Sequence, residues 1–119
     1  MAIGETANSA TIGTTEHSLA TNTSYGTDDA QTDDGVVQVF LDLNALAAGD
    51  QFQFRIYEKV QNSSGTQRVV YEAILTGAQA QPVFASPALT LMHGWDATLD
   101  KLAGTDRAIP WSIRRIPVA

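Results

Sequence analysis

The sequence predicts an all-β domain, an antiparallel β-sandwich or barrel of jelly-roll or immunoglobulin-like type, with an extended polar N-terminal arm. Three observations predict it. Apolar residues recur with period two in segment after segment, the pattern of strands with one buried face. Turn residues separate these segments at intervals of eight to twelve residues. No window of ten residues carries the 3.6-residue period of an amphipathic helix.

Taken in order, residues 1–10 are small and polar and form the expected arm, while residues 11–119 form a single domain. The stretch TIGTTEHSLA reads as one polar strand anchored by Ile12 and Leu19. Residues 22–35 read as a loop carrying two Asp pairs, because Thr, Ser, Asn, Gly and Asp side chains compete for backbone hydrogen bonds. In VVQVFLDLN, Val37, Val39, Leu41 and Leu43 alternate with Gln38 and Asp42. After the turn ALAAGD, Phe52, Phe54 and Ile56 share one face of QFQFRIYEKV. RVVYEAILT follows, with Val69, Tyr71, Ala73 and Leu75 on one face. Pro82 and Pro87 remove ladder donors from QPVFASPALTLM and make it an edge strand or a bent crossover.

The closing stretch HGWDATLDKLAGTDRAIPWSIRR holds a histidine, two tryptophans, three aspartates and three arginines, the inventory of an active site. Its periodicity reads otherwise. Trp95, Ala97 and Leu99 alternate with Asp96, Thr98 and Asp100, while Ile109, Trp111 and Ile113 alternate with Pro110, Ser112 and Arg114. Two arms around Gly104 predict a hairpin with buried tryptophans and a charged outer face, where Asp96 or Asp100 meets Arg114 or Arg107.

The composition narrows the function. The chain has 119 residues, enough for one domain, and 44% of them are hydrophobic. No cysteine is present, which excludes disulfides and thiolate metal sites. The opening residues have no basic and apolar signal-peptide pattern, and no apolar run reaches membrane-spanning length. Net charge is −6, and residues 1–50 hold eight acids with no Lys or Arg, against seven bases and five acids in residues 51–119. Phosphate neutralisation needs clustered bases, so nucleic acid is not an expected partner, and neither is a membrane.

Candidate chemistry resolves to structural readings. His17 and His93 lie far apart, outside any nucleophile-elbow context, and two histidines do not make a zinc site. The loop acids Asp28, Asp29, Asp33 and Asp34 lack the spacing of an EF-hand. Asp96 and Asp100 read as exposed charge partners rather than a glycosidase pair. Trp95 and Trp111 are in phase with aliphatics and read as core rather than as sugar platforms. The chain is therefore read as a non-enzyme, with no catalytic, cofactor-binding or metal-ligating residue assigned.

Four segments carry a resemblance: TIGTTEHSL, DGVVQVFLDLNALAAGDQFQFRIYEKV, TQRVVYEAILTGAQAQPVFASPALTL and HGWDATLDKLAGTDRAIPWSIRR. Together they resemble a group of small structural proteins of tailed bacteriophages. The resemblance implies a β-sandwich on the virion, a decoration or cement protein that binds and stabilises the capsid exterior after synthesis in the bacterial cytoplasm. The implied partner is the major capsid protein, and self-association with other copies of the chain in a closed ring, a homotrimer, would add avidity at a capsid symmetry axis. A tail or head–tail connector component and a carbohydrate-binding module are the alternatives.

Overall fold

The computed structural model describes residues 3–26, 34–60 and 66–117, so Asp28, Asp29 and Asp33 of the acidic loop lie outside the described residues. The fold is all-β: among the described residues there are ten strands and no helix. In chain order they are β1 (Gly4–Ile12), β2 (His17–Ser18), β3 (Thr23–Ser24), β4 (Gly35–Asp42), β5 (Gln51–Glu58), β6 (Arg68–Thr76), β7 (Val83–Ala85), β8 (Leu89–Leu91), β9 (Asp96–Ala103) and β10 (Arg107–Ile116). One antiparallel sheet has the order β1-β10-β4-β7, with β8 also pairing β4. The other has the order β3-β2-β9-β5-β6.

The two sheets bury the alternating residues between them. Val37, Val39 and Leu41 of β4, with Ile109, Trp111 and Ile113 of β10, line one wall. Phe52, Phe54 and Ile56 of β5, with Ala97 and Leu99 of β9, line the other. Ile12 and Leu19 are both fully buried anchors, but not on one strand. β1 ends at Ile12 in the first sheet, and the chain crosses before β2 joins the second. The residues expected as an arm are, from Gly4 onward, the edge strand β1, paired with β10 from Gly4↔Arg115 to Ile12↔Arg107.

The segment with two prolines is a bent edge, as its composition implies. β7 and β8 both pair β4, and Ser86 bridges the break between them. Its Oγ accepts from the Val39 N–H at 2.9 Å, and its own N–H donates to the Val39 carbonyl at 2.8 Å. In β6 the core-facing set holds for Tyr71, Ala73 and Leu75. Val69 lies beyond a register shift and is 44% exposed.

The closing hairpin does not form. β9 and β10 belong to opposite sheets, and Gly104–Asp106 carries the chain across the sandwich. An arch of this kind gives the same periodicity as a hairpin, since in both the apolar residues of the two arms face one interior. Gly104 has φ +90°, and a Cβ there would collide with Asp50. Both tryptophans are core as expected, each 4% exposed. Trp111 Nε1 donates to the Leu19 carbonyl at 2.9 Å, which satisfies the polar end of the buried ring.

The expected charge pairs also differ. Arg107 Nε donates to Asp50 Oδ2 at 2.7 Å, Lys101 pairs with Asp106, and the Arg114 guanidinium lies 3.9 Å above the centre of the Phe40 ring. Asp50 also accepts from the backbone N–H groups of Ala47 at 2.9 Å and Thr105 at 3.1 Å. The Ala47 amide first, then Arg107 and Thr105, hold its carboxyl down at about 2.

Replacing Trp111 by Ala should cost about 3–5 kcal/mol in urea unfolding, as expected for a large buried aromatic. A loss below about 1 kcal/mol would contradict its core role. Acid supplies a second test. A carboxyl whose native pKa lies below its unfolded value of about 3.9 stabilises the fold above that value, and the contribution is lost as pH falls towards about 2. The melting temperature should therefore drop between about pH 5 and pH 2, and Asp50→Asn should flatten that part of the profile.

Candidate functional site

Two surfaces gather functional side chains. The first is the outer face of the β3-β2-β9-β5-β6 sheet. β9 lies between β2 and β5, so both its edges are paired, and on its outer face Asp96 and Thr98 are fully buried beneath Ser18 and Glu16 rather than facing water. Asp96 Oδ1 accepts from Ser18 Oγ at 2.8 Å. Thr98 Oγ1 and Tyr57 Oη both donate to Glu16 Oε2, each at 2.6 Å. Arg55 Nη1 stands 3.9 Å from the same oxygen, and Arg55 Nε donates to Glu72 Oε2 at 2.9 Å. Two hydroxyl donors converge on one Glu16 oxygen, so its geometry is that of a clamp fastening the segment before β2 onto β9 and β5.

Above this cluster the Tyr25 ring stacks on Tyr57 with centroids 4.7 Å apart. Tyr25 Oη donates to Gln67 Oε1 at 2.7 Å, and Gln67 Nε2 donates to the Gly94 carbonyl at 2.9 Å. Burial, then charge repulsion from the Tyr57 hydroxyl, Asp96 and Glu16, pushes the Tyr25 phenol up to about 12. Burial and the hydrogen bond to Glu16 push Tyr57 up as well. Both phenols stay protonated at neutral pH and act as donors.

Asp100 lies beside the cluster with one carboxylate oxygen, Oδ1, buried and unbonded among the described residues. Burial, then the Glu16 charge, raises its carboxyl above the usual carboxylate range. Glu16, Tyr25 and Tyr57 were not singled out by the sequence. The one legible hint is the polar phase of β5, where Arg55 and Tyr57 alternate with the core residues.

The second surface is the outer face of the β1-β10-β4-β7 sheet. Its centre is the Phe40 ring under Arg114. On one side a shallow groove of about 250 Å³ runs past Phe40, Asp42, Val83, Pro110 and Ser112. On the other, a groove of about 200 Å³ runs past Ile3, Val36, Gln38, Ala88 and Ile116. Ile3 is 64% exposed and Val83 61%, and Val36 and Ile116 are exposed with them. The result is an apolar strip with one cation at its middle.

The residues considered for chemistry are scattered over this frame. His17 hydrogen-bonds Asn22 at 2.8 Å and lies edge-on to Trp111, with ring centres 5.7 Å apart. His93 precedes β9, its backbone N–H donating to Glu58 Oε2 at 3.0 Å. Asp34 is exposed, and its backbone carbonyl accepts from Arg115 Nη1 at 2.9 Å. No group of three His, Cys, Asp or Glu side chains able to hold a metal ion occurs among the described residues. Nor is any helix among them long and apolar enough to cross a membrane.

No family model and no curated protein matches the chain. Among solved structures the chain is similar to the Eiger TNF of S. frugiperda, with a TM-score of 0.43 and 15% identity over 76% of this chain. The match spans 64% of that chain, less than two thirds of its length.

Asp100 supplies the test of this surface. An acid whose native pKa is raised above its unfolded value supports the fold at low pH and loses that support as pH rises through the native pKa. Asp100→Asn should therefore raise the melting temperature at pH 7 by a few degrees, of the order expected for ~0.5–1 kcal/mol in a domain of this size. At pH 4 the gain should shrink. An equal gain at both values would mean that the substitution acts through packing and not through charge.

Proposed function

We propose that this protein is a structural component of a tailed-bacteriophage particle, a decoration protein that binds the assembled head shell and stabilises it. The observation that carries the reading is the apolar strip on the outer face of the β1-β10-β4-β7 sheet, from Ile3 past Phe40 and Arg114 to Val83. Monomeric proteins rarely expose a contiguous apolar surface of this kind without a partner for it, and an Arg on an aromatic ring is a common centre of a protein contact. The resemblance of the four sequence segments to phage structural proteins supplies the kind of partner, the major capsid protein. The acidic first half of the chain supplies a further means of attachment to basic patches on the shell.

A protein that binds the intact lattice and not its dissociated subunits stabilises the lattice by mass action, and many modest contacts add up across a symmetric shell. Particles carrying the protein should release their genome at a higher temperature than particles without it, and attachment should weaken in high salt, where exposed charges are screened beyond about 8–10 Å. Val83→Asp, at an exposed position, should weaken attachment at least about tenfold. Equal release temperatures, or shells that never assemble without the protein, would overturn the decoration role and favour a tail or connector component. Tryptophan quenching by glycans would favour the carbohydrate-binding reading, against which the burial of Trp95 and Trp111 stands.

A further inference from the structure

The geometry points to β1 as a self-complementary edge, through which two copies of this chain pair antiparallel about a twofold axis at Asn8. The inference stands apart from the virion reading and needs no capsid.

Sheet edges display unpaired N–H and C=O groups, and proteins blunt them with short strands, prolines, lysines or bulges. Three of the four edges here are blunted. β3 has two residues, and β7 and β8 have three each, with Pro87 between them. β6 carries a register shift opposite Ile56 and Tyr57. β1 has none of these devices. It pairs β10 over nine consecutive residues without a shift, and it contains neither Pro nor Lys. Among the described residues its other edge is hydrogen-bonded to no strand, and only its end approaches β9, where the Lys101 N–H donates to the Gly13 carbonyl.

Up to Ser9 its side chains are exposed on both faces. Thr6 and Asn8 face the same way as Ile113 and Trp111, their partners on β10, yet both are exposed, as are Glu5, Ala7 and Ser9 on the opposite face. Only the end of the strand reaches the core, at the half-buried Ala10 and the buried Ile12. The Ser9 N–H donates to the neighbouring Asn8 Oδ1 at 3.2 Å, a local bond of the kind an edge amide makes when no strand faces it.

A second β1 overlaps this edge over its full length in one register. With Asn8 opposite Asn8 of the second copy, Ala7 faces Ser9, Thr6 faces Ala10, Glu5 faces Thr11, and Gly4 faces Ile12. Every pair joins residues of the same face, and no like charges meet. Glu5 is the strand's single charge, and it lies well away from its own copy across the axis. The two Asn8 amides, each with donor and acceptor, can bond to one another. An isologous contact of this kind closes on itself as a dimer. The ladder adds main-chain hydrogen bonds and little buried area, so the dimer is concentration-dependent.

The absence of cysteine makes the test direct. In the full chain, Asn8→Cys should give a disulfide-linked dimer under mild oxidation, since directly opposed Cβ atoms lie about 4.5–5.5 Å apart. Thr76→Cys, on the β6 edge, should not. Sedimentation should show a monomer–dimer equilibrium weakened about tenfold or more by Asn8→Lys, which sets like charges on the axis. Thr11→Glu should weaken it, and Thr11→Lys, facing Glu5 of the second copy, should strengthen it. Circular dichroism of each variant checks that the sandwich is kept. A monomer at every concentration, a trimer indifferent to Asn8→Lys, or equal cross-linking of the Asn8→Cys and Thr76→Cys variants would overturn the proposal.

Discussion

The sandwich depends on one carboxylate at one of its ends. Asp50 follows the crossing from β4 to β5 and receives the crossing from β9 to β10, through Thr105 N–H and Arg107 Nε. Its backbone carbonyl also accepts from the Gly77 N–H at 2.8 Å, just after β6. Three connections from both sheets thus converge on one residue that is 2% exposed. A buried carboxylate is tolerated only when its lone pairs are filled, and here they are filled by two amides and a guanidinium. Gly104 is required at the same place because any side chain would occupy the carboxylate's position. This junction ties the two sheets together at that end of the sandwich.

Elsewhere, β9 places one acid fully and another partly out of water. Asp96 lies in the centre of its sheet with Ser18 donating to it, and Asp100 Oδ1 is buried with no hydrogen-bond partner among the described residues. Networks of this kind gain in specificity what they lose in stability, because a buried acid tolerates few alternative arrangements. Glu16, Thr98, Tyr57 and Arg55 thereby fix which way the segment before β2 crosses the sheet.

Most strands were legible because their alternation is a local property. Val37 to Leu43, Phe52 to Ile56 and Ile109 to Ile113 announce one buried face each, and the structure buries them. Strand pairing was less legible. Periodicity reports that Trp95 and Trp111 face an interior, and it is silent on whether they do so from one sheet or from two. The same limit explains Asp96: alternation marks a face as polar, while its cover comes from Ser18, distant in sequence. The outer strip around Phe40 was hidden for a related reason. Ile3, Val36, Val83 and Ile116 come from four separate segments and become one surface only through the sheet order.

The strip and the open edge lie on the same sheet. The outward face of β1 continues that of β10, where Glu5 lies opposite Arg114 and hydrogen-bonds Ser112. Pairing β1 with β1 across a twofold perpendicular to the sheet would keep the outward faces of both copies on one side. Two strips, each with its Phe40 and Arg114, would then lie on one surface. Binding of the first strip to a repeating lattice would raise the effective concentration of the second, provided that the spacing of lattice sites matches that of the strips. A shallow apolar groove of modest individual affinity would in that arrangement select for an ordered array over a free subunit. The edge would thus set the valence of the surface, and the surface would set what is bound.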